Sequence, residues 1–511
     1  MLVLNIFTKF LKYIGILTGM TIPYCNQPAK TADTVTPSAI VVPKIDPGNT
    51  SRYITLEMDI NKGTHPSFEL TDLPFDKNKG LMLMKDDALL TDYTIVFKIL
   101  SGGIVNGKKY PGFYYTDGTG KKINYKYSFA INANEGHTTD TNNAAGWAQI
   151  NEILTKGHAY MNHSMFHGGT DLLKAIKDSE KNMWAHTHYR MTEIVPPGND
   201  EGYVENGLQL GYHLISSEFG EPVPDGNNNP GNQNVSWGSF IPMLTQNFSR
   251  VLVSRTNLGD QWNAAELKTS KAYIDYIFNH PEKNKKLVGA AFSHGPFGDK
   301  KEGADNFFEF LMYIKHHPAN HDSAWITSSK ELMDYENTKA RTIVTSAHYN
   351  PQTGKYKIVF DTKGIDSNVI YRNLSLKVKG GTISKVKADG VNEVTFNPVT
   401  GLINLYKTDR SKVISPFKDA LPPQIVNISA KGNVISFNYD KPVIQTKKQG
   451  YDIPGNKITA LKGSGKTWQL VMQNPVGPAQ TFFYRIQLGD AKQMNNPLLR
   501  VCSYIGNPIK Q

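Results

Sequence analysis

The most constraining feature of the chain is the run Gly80-Leu81-Met82-Leu83-Met84, which stops abruptly at Lys85-Asp86-Asp87. An apolar run without alternation suits a strand buried on both faces, which in practice means a parallel sheet covered by helices. Polar residues directly after such a strand fall at its carboxyl end, where barrel-like α/β enzymes keep their chemistry. The pattern recurs at Leu287-Val288-Gly289-Ala290-Ala291-Phe292, which ends in Ser293-His294-Gly295, and in shorter form at Tyr127 to Asn132 and His158 to Tyr160. Helical stretches lie between these runs: the stripe Trp147, Ile150, Ile153 and Leu154, then Leu172 to Met183, Lys271 to Asn279 and Ala304 to Lys315. Strands alternating with helices from about Asp76 to Asp334 predict one α/β domain with a largely parallel sheet.

At 511 residues the chain exceeds one ordinary core, so two to four domains are expected. A strand pattern at Tyr53 to Met58 follows an extended Thr/Pro/Val-rich leader, Thr31 to Pro47. Glycines between Gly102 and Gly120, with the pair Asp117-Gly118, predict hairpins inserted over the site. After Asn337 short strands bounded by Gly, Asn and Asp take over, and beyond Pro422-Pro423 apolar residues alternate at Ile435, Phe437 and Tyr439 and again at Phe482, Tyr484, Ile486 and Leu488. The domain reading is therefore 1–30 signal or lipoprotein-type leader, 31–75 extended leader and first strand, 76–336 α/β domain, 337–419 β-rich module and 420–511 β-sandwich-like module.

The formal charge of +11 is modest for this length and fits a lysine-biased solvated surface. It suits association with an acidic polymer or an envelope surface and gives no ground for a nucleic-acid partner. Two cysteines, Cys25 and Cys502, exclude a disulfide-rich scaffold and a cysteine-based zinc site. The lysines at 9 and 12 followed by the mostly apolar Tyr13 to Tyr24 predict a secretory signal and an exported protein, periplasmic, cell-surface or secreted. Cys25 is placed for lipid anchoring, although Tyr24 stands where such signals carry a small residue. No later run is long and apolar enough to span a bilayer.

His163 and His167, four apart, would lie on one face of a helix with Cβ atoms about 5–6 Å apart, within reach of a single metal ion. Ser164 occupies the position where a zinc peptidase helix carries its Glu base, so the base must come from elsewhere. Asp86 and Asp87 supply it. Neighbouring residues leaving a strand point in different directions, so one can bind metal while the other faces substrate. Two imidazoles and a carboxylate suit zinc or cobalt and leave a coordination position for water. His294, at another strand end, is placed to protonate a leaving group. His186 and His188 would share a strand face as packing or a substrate wall, and Trp237 and Trp262 are either sugar platforms or core.

These residues carry a resemblance. Lys156-Gly157-His158 with Asn162-His163-Ser164 and His167 resembles the second motif of the NodB-homology polysaccharide deacetylases, carbohydrate esterase family 4. Lys85-Asp86-Asp87 is similar to their first motif, Thr-Phe-Asp-Asp-Gly, and Phe292-Ser293-His294 to the late strand that bears their acid. Asp322 to Trp325 followed by Leu332 looks like the closing strand and helix of that domain. The resemblance implies a distorted seven-stranded (β/α) barrel over roughly Asp76 to Tyr335, followed here by the all-β modules. It implies Asp86 as catalytic base, Asp87, His163 and His167 as ligands of a divalent metal, and His294 as general acid. The reaction implied is hydrolysis of N- or O-acetyl groups on a poly- or oligosaccharide, with release of acetate. The third motif, Arg-x-Pro-Phe/Tyr, is best matched by Val195-Pro196-Pro197-Gly198, which lacks the arginine that holds the base. Pro197 and Gly198 are then the candidates for the oxyanion turn, and Asp86 needs another cation or the support of His294 and backbone. Lys85 and Ala88 also replace the aromatic residue and glycine of the first motif. The competing reading is a non-catalytic surface glycan-binding protein built on a degenerate deacetylase domain.

Overall fold

The computed structural model describes residues 48–217, 251–279, 287–297, 301–413 and 423–509, with short interruptions at 63, 141, 169–170, 201–202, 204–205, 208–209, 412, 424, 478–479, 485–490, 492–493 and 495–503. The expected signal and leader with Cys25, and also Trp237, Pro422, Ile486, Leu488 and Cys502, lie outside the described residues. The fold below is that of the unit Lys44–Gln511.

Two strands, β1 (Tyr53–Ile60) and β2 (Ser67–Leu70), come first. The α/β domain then begins with β3 (Lys79–Lys85), buried at every residue, as are β4 (Ser128–Ile131) and β5 (Ala159–Asn162). Then follow β6 (Glu193–Ile194), β7 (Leu214–Ser217), β8 (Val251–Ser254), β9 (Thr256–Asn257), β10 (Leu287–Ser293) and β11 (Ala324–Thr327). Every pairing among them is parallel. Helices α1 (Trp147–Thr155), α2 (Leu172–Thr187), α3 (Ala264–Asn279), α4 (Lys301–His316) and α5 (Ser329–Arg341) accompany the strands. This is why the strands are apolar throughout instead of alternating.

The sheet runs β8-β7-β6-β5-β4-β3-β10-β9, with β11 pairing the first half of β3. Its two terminal strands, β8 and β9, are joined by the single residue Arg255, so residues 251–257 pair with β7 at one end and β10 at the other. The sheet therefore closes on itself as a distorted seven-position barrel. All its strands point the same way, and the residues following β3, β5, β8 and β10 gather at one rim.

The chain after α5 forms β12 (Ile343–Asn350), β13 (Lys355–Asp361), β14 (Leu374–Lys379), β15 (Ile383–Asp389), β16 (Glu393–Asn397) and β17 (Leu402–Tyr406). They build two antiparallel sheets, β12-β13-β1-β15 and β2-β14-β17-β16, around Leu56, Met58, Ile358, Phe360, Leu376 and Ile403. The strand expected at 53–58 thus does not lead into the barrel. It lies inside the sandwich between β13 and β15, and the barrel is spliced between β2 and the remaining strands. A further pair of antiparallel three-stranded sheets follows within Ile425–Pro508, around Phe437, Tyr451 and Phe482.

The hairpins expected near Gly102–Gly120 exist but do not cover the site. The second, Tyr114–Thr116 with Lys122–Asn124, donates the Thr116 N–H to Asp322 at 3.1 Å, just before β11, at the opposite rim of the barrel. Buried Asp117 decides that placement. It accepts from Thr119 and Lys121 N–H and from the Thr395 and Tyr406 hydroxyls at 2.7–3.0 Å, and the last two partners are on the sandwich. The first hairpin leans on α4, where Lys108 and Tyr110 both reach Asp305. Nor do His186 and His188 share a strand: His186 is in the last turn of α2, stacked 4.2 Å from Trp147, and His188 is its left-handed C-cap.

Candidate catalytic and metal centre

Asp86 and His294 are brought together by register. Lys85 pairs with Ser293, and the Asp86 N–H continues the ladder to the Ser293 carbonyl at 3.1 Å. Both side chains then leave neighbouring strands at the same rim. Asp87 and Ala88 follow with φ of 78° and 47°, so the chain turns sharply and the second carboxylate aims elsewhere than the first. Ala88 is fully buried in a left-handed conformation that glycine adopts at no steric cost, which accounts for the glycine expected there.

The histidine pair does come together, but on a loop and not on a helix face. β5 ends at Asn162, and α2 begins only at Leu172. Between them Ser164 has φ of 62°, and the loop is pinned by Asn132 to the His163 carbonyl and by Asn134 to the Met165 carbonyl. The ring centroids of His163 and His167 are 5.2 Å apart. One possible ligand atom from each of Asp87, His163 and His167 lies within 4.8 Å of the others.

The donor set fits a divalent metal. His163 is 1% exposed and its Nδ1 donates to the Val195 carbonyl at 2.8 Å, which leaves the Nε2 lone pair directed inward. That buried Nε2 has no hydrogen-bond partner among the described residues, and lies 3.5 Å from Asp87 Oδ1. An imidazole whose outer nitrogen is fixed by a carbonyl and whose inner nitrogen is orphaned beside a carboxylate is arranged as a ligand. Burial would push the Asp87 carboxyl up, but His163, His294 and His167 nearby hold it below its ordinary value.

Two residues that complete the site were not singled out from the sequence. Arg255, at the joint of β8 and β9, holds Asp86 in a two-pronged ion pair, Nη1 to Oδ1 at 2.8 Å and Nη2 to Oδ2 at 2.6 Å. Both side chains are almost fully buried, and the guanidinium stacks 3.7 Å over the Phe292 ring. Burial raises the Asp86 carboxyl, and the charge and hydrogen bonds of Arg255 outweigh that and hold it below the usual range. Of the two alternatives left by the missing arginine at Val195–Gly198, another cation or the support of His294 and backbone, the structure shows the first: Arg255 stands two strands further round the barrel from that segment. A signal was present in Val251-Leu252-Val253 followed by Ser254-Arg255, the same apolar-then-charged break as at Asp86.

The second is Asp260. Its Oδ1 accepts from His294 Nδ1 at 2.8 Å, and this bond is the main reason the His294 imidazole is held above its ordinary value; burial opposes it, and the charges of Asp86, Asp260 and Asp87 add to it. Pro197 and Gly198 form a tight turn after β6, two residues beyond the Val195 carbonyl that orients His163. The Leu258 N–H, next after Asn257, is committed to the Phe292 carbonyl at 2.8 Å. Trp262 is fully buried against Phe307 and Phe310 and belongs to the core. No helix among the described residues is long and apolar enough to cross a membrane.

No protein-family profile and no curated protein matches the chain. Among solved structures it is similar to a Streptococcus pyogenes deacetylase in complex with acetate, at 13% identity over 26% of this chain and 54% of that one, TM-score 0.20. The chain thus spans about half the length of that protein. It is also similar to a family 4 acetyl xylan esterase from Clostridium thermocellum in complex with cobalt, at 14% identity over 49% and 99% of the two chains, TM-score 0.24. A third is a CE4 family pseudoenzyme from Bacillus anthracis, at 11% identity over 51% and 66%, TM-score 0.27. At these values the likeness bears no weight beyond itself, and the chemistry has to be read from the residues at the barrel rim.

Proposed function

We propose that the chain is a metal-dependent carbohydrate deacetylase that hydrolyses N- or O-acetyl groups on a poly- or oligosaccharide. The observation that carries the reading is the pairing of two differently held carboxylates. Asp86 is clamped and kept ionised by Arg255, while Asp87 stands in ligand range of His163 and His167. A divalent ion there, zinc or cobalt by the chemistry of the donors, would supply Lewis acidity toward the acetyl carbonyl and lower the pKa of water.

In this proposal Asp86 takes one proton from the attacking water while its oxygen joins the carbonyl carbon. Arg255 keeps Asp86 ionised until that moment and offers no proton of its own. The backbone N–H of Gly198, in the turn after β6, is proposed as the oxyanion donor; the Leu258 N–H is already committed to the Phe292 carbonyl. His294, oriented through Nδ1 by Asp260, gives its Nε2 proton to the departing amine or hydroxyl as the carbon–nitrogen or carbon–oxygen bond breaks. Acetate and the free sugar are the products. The main support for a non-catalytic glycan binder was the arginine missing from Val195–Gly198; the ion pair of Arg255 with Asp86 supports the catalytic reading instead.

Export through the N-terminal segment, lipid attachment at Cys25 and association with an envelope are proposed on the sequence alone. The reaction is tested by acetate release from chitin oligomers, peptidoglycan fragments and acetylated xylan by the zinc- or cobalt-loaded chain. Asp86→Asn should abolish release while metal stays bound. Metal binding by the native chain with no release from any of these substrates would favour the binder.

A further inference from the structure

Behind the metal loop lies a chain of fully buried polar groups that touches no reacting atom. Arg190 Nη1 is 2.6 Å from Glu180 Oε1, which also accepts the Met191 N–H at 3.0 Å. Glu180 Oε2 accepts the Tyr212 hydroxyl at 2.8 Å, and the Tyr212 oxygen accepts the Asn162 amide at 2.7 Å. Asn162 Oδ1 in turn accepts the Ser164 N–H at 2.7 Å. Asn162, Ser164, Glu180 and Tyr212 are all 0% exposed.

The direction of this chain is dictated at one end. A carboxylate can only accept, so the Tyr212 proton is committed to Glu180 and its oxygen is left as an acceptor. Asn162 must therefore turn its NH2 toward Tyr212, where the Ile176 carbonyl takes the other hydrogen at 3.0 Å, and its carbonyl toward Ser164. That carbonyl is what holds Ser164 in the left-handed turn between His163 and His167. We infer that Glu180 and Tyr212 are positioning residues for the metal centre: through the orientation of the Asn162 amide they fix the turn that brings the two histidine ligands together. The inference rests on the metal reading above and adds the residues that enforce it.

The test is Co(II) titration of the full chain, followed by the visible ligand-field band, for the native protein and for Tyr212→Phe, Glu180→Gln and Tyr335→Phe. Tyr212→Phe removes the link. Glu180→Gln keeps its shape but places an NH2 against the Tyr212 oxygen and so reverses the hydrogen-bond direction. Tyr335→Phe is the matched control, losing a buried hydroxyl bonded to Thr71 at 2.9 Å outside the relay. The expected result is a Co(II) Kd raised about tenfold with an altered band in the two relay variants, against native affinity and band in the control. Should Tyr212→Phe not fold, Glu180→Gln alone carries the test. Native Co(II) affinity and band in the relay variants, or an equal loss in the control, would overturn the inference. A native chain with no Co(II) band would instead overturn the metal reading itself.

Discussion

A buried carboxylate that is to take a proton from water has to stay ionised without having all its lone pairs occupied. At 1% exposure burial raises the Asp86 carboxyl, and Arg255 outweighs that by supplying one guanidinium N–H to each oxygen, which leaves further lone pairs unoccupied. The planar fork matters as much as the charge. Arg255→Lys keeps the cation but offers a single point contact and loses the stack on Phe292. We expect kcat to fall on the order of tenfold to a hundredfold with metal affinity unchanged, read by steady-state acetate release and Co(II) titration. His294 poses the opposite requirement, since an acid must hold its proton. Its bond to Asp260 raises its pKa above the ordinary value, so the protonated form persists to higher pH. Asp260→Asn removes that largest cause, and the alkaline limb of the kcat/KM profile should move to lower pH while the acid limb, set by Asp86, stays in place. An unmoved alkaline limb would take His294 out of the acid role.

Among elements, the barrel strands were legible because a strand covered on both faces must be apolar throughout, and the break to charge after Met84 or Phe292 marks where cover ends. The histidine spacing was legible as chemistry but misread as structure, because four residues separate the rings equally well across a helical turn or across a pinned loop. What separates the two is Ser164 at positive φ with Asn162 holding its N–H, and spacing does not encode that. Arg255 carried a local signal as a charged break after an apolar run, but its pairing with Asp86 was illegible: that partner lies 169 residues away, and its strand changes neighbours at that very residue. Helix α5 holds a further consequence of burial. Glu336 is fully buried with Lys339 2.8 Å away, and burial, added to by the charge of Asp72, outweighs that cation and pushes the carboxyl up to about 7. Between the ordinary value of 4.5 and about 7 the folded chain binds more protons than the unfolded one, so this group lowers stability as pH rises through that window. Glu336→Gln should therefore be more stable than the native chain at pH 8, by on the order of 2 kcal/mol, and nearly equal at pH 4.5, as measured by denaturant unfolding at the two values.

At the scale of the whole molecule, we expect that the barrel does not fold as a separate unit bounded at 76 and 336. No local pattern says which strand a strand will pair with, so β1 reads as a strand of the leader segment 31–75, although it sits between β13 and β15. Helix α5 is the joint. Its Asp334, 0% exposed, is paired with Lys330 at 2.6 Å and accepts the N–H groups of Ile370 and Tyr371 at 2.9 Å, while Lys330 also reaches the Asn368 carbonyl. Tyr335 reaches back to the Thr71 carbonyl ahead of β3. A fragment cut at 76–336 keeps every proposed catalytic and ligand residue but removes Thr71, Asn368, Ile370 and Tyr371. It strips Asp334 of both N–H donors and Lys330 of its carbonyl partner. Removing partners of a buried charge costs about 3–5 kcal/mol, a large share of the about 5–15 kcal/mol that holds a domain together. The 76–336 fragment should accordingly show weak near-UV circular dichroism and no cooperative melting, and bind Co(II) poorly. The 44–511 chain should melt cooperatively and give the native cobalt band. If 76–336 melts as sharply as 44–511, the sandwich is an appendage, and the placement of β1 inside it has no bearing on the site.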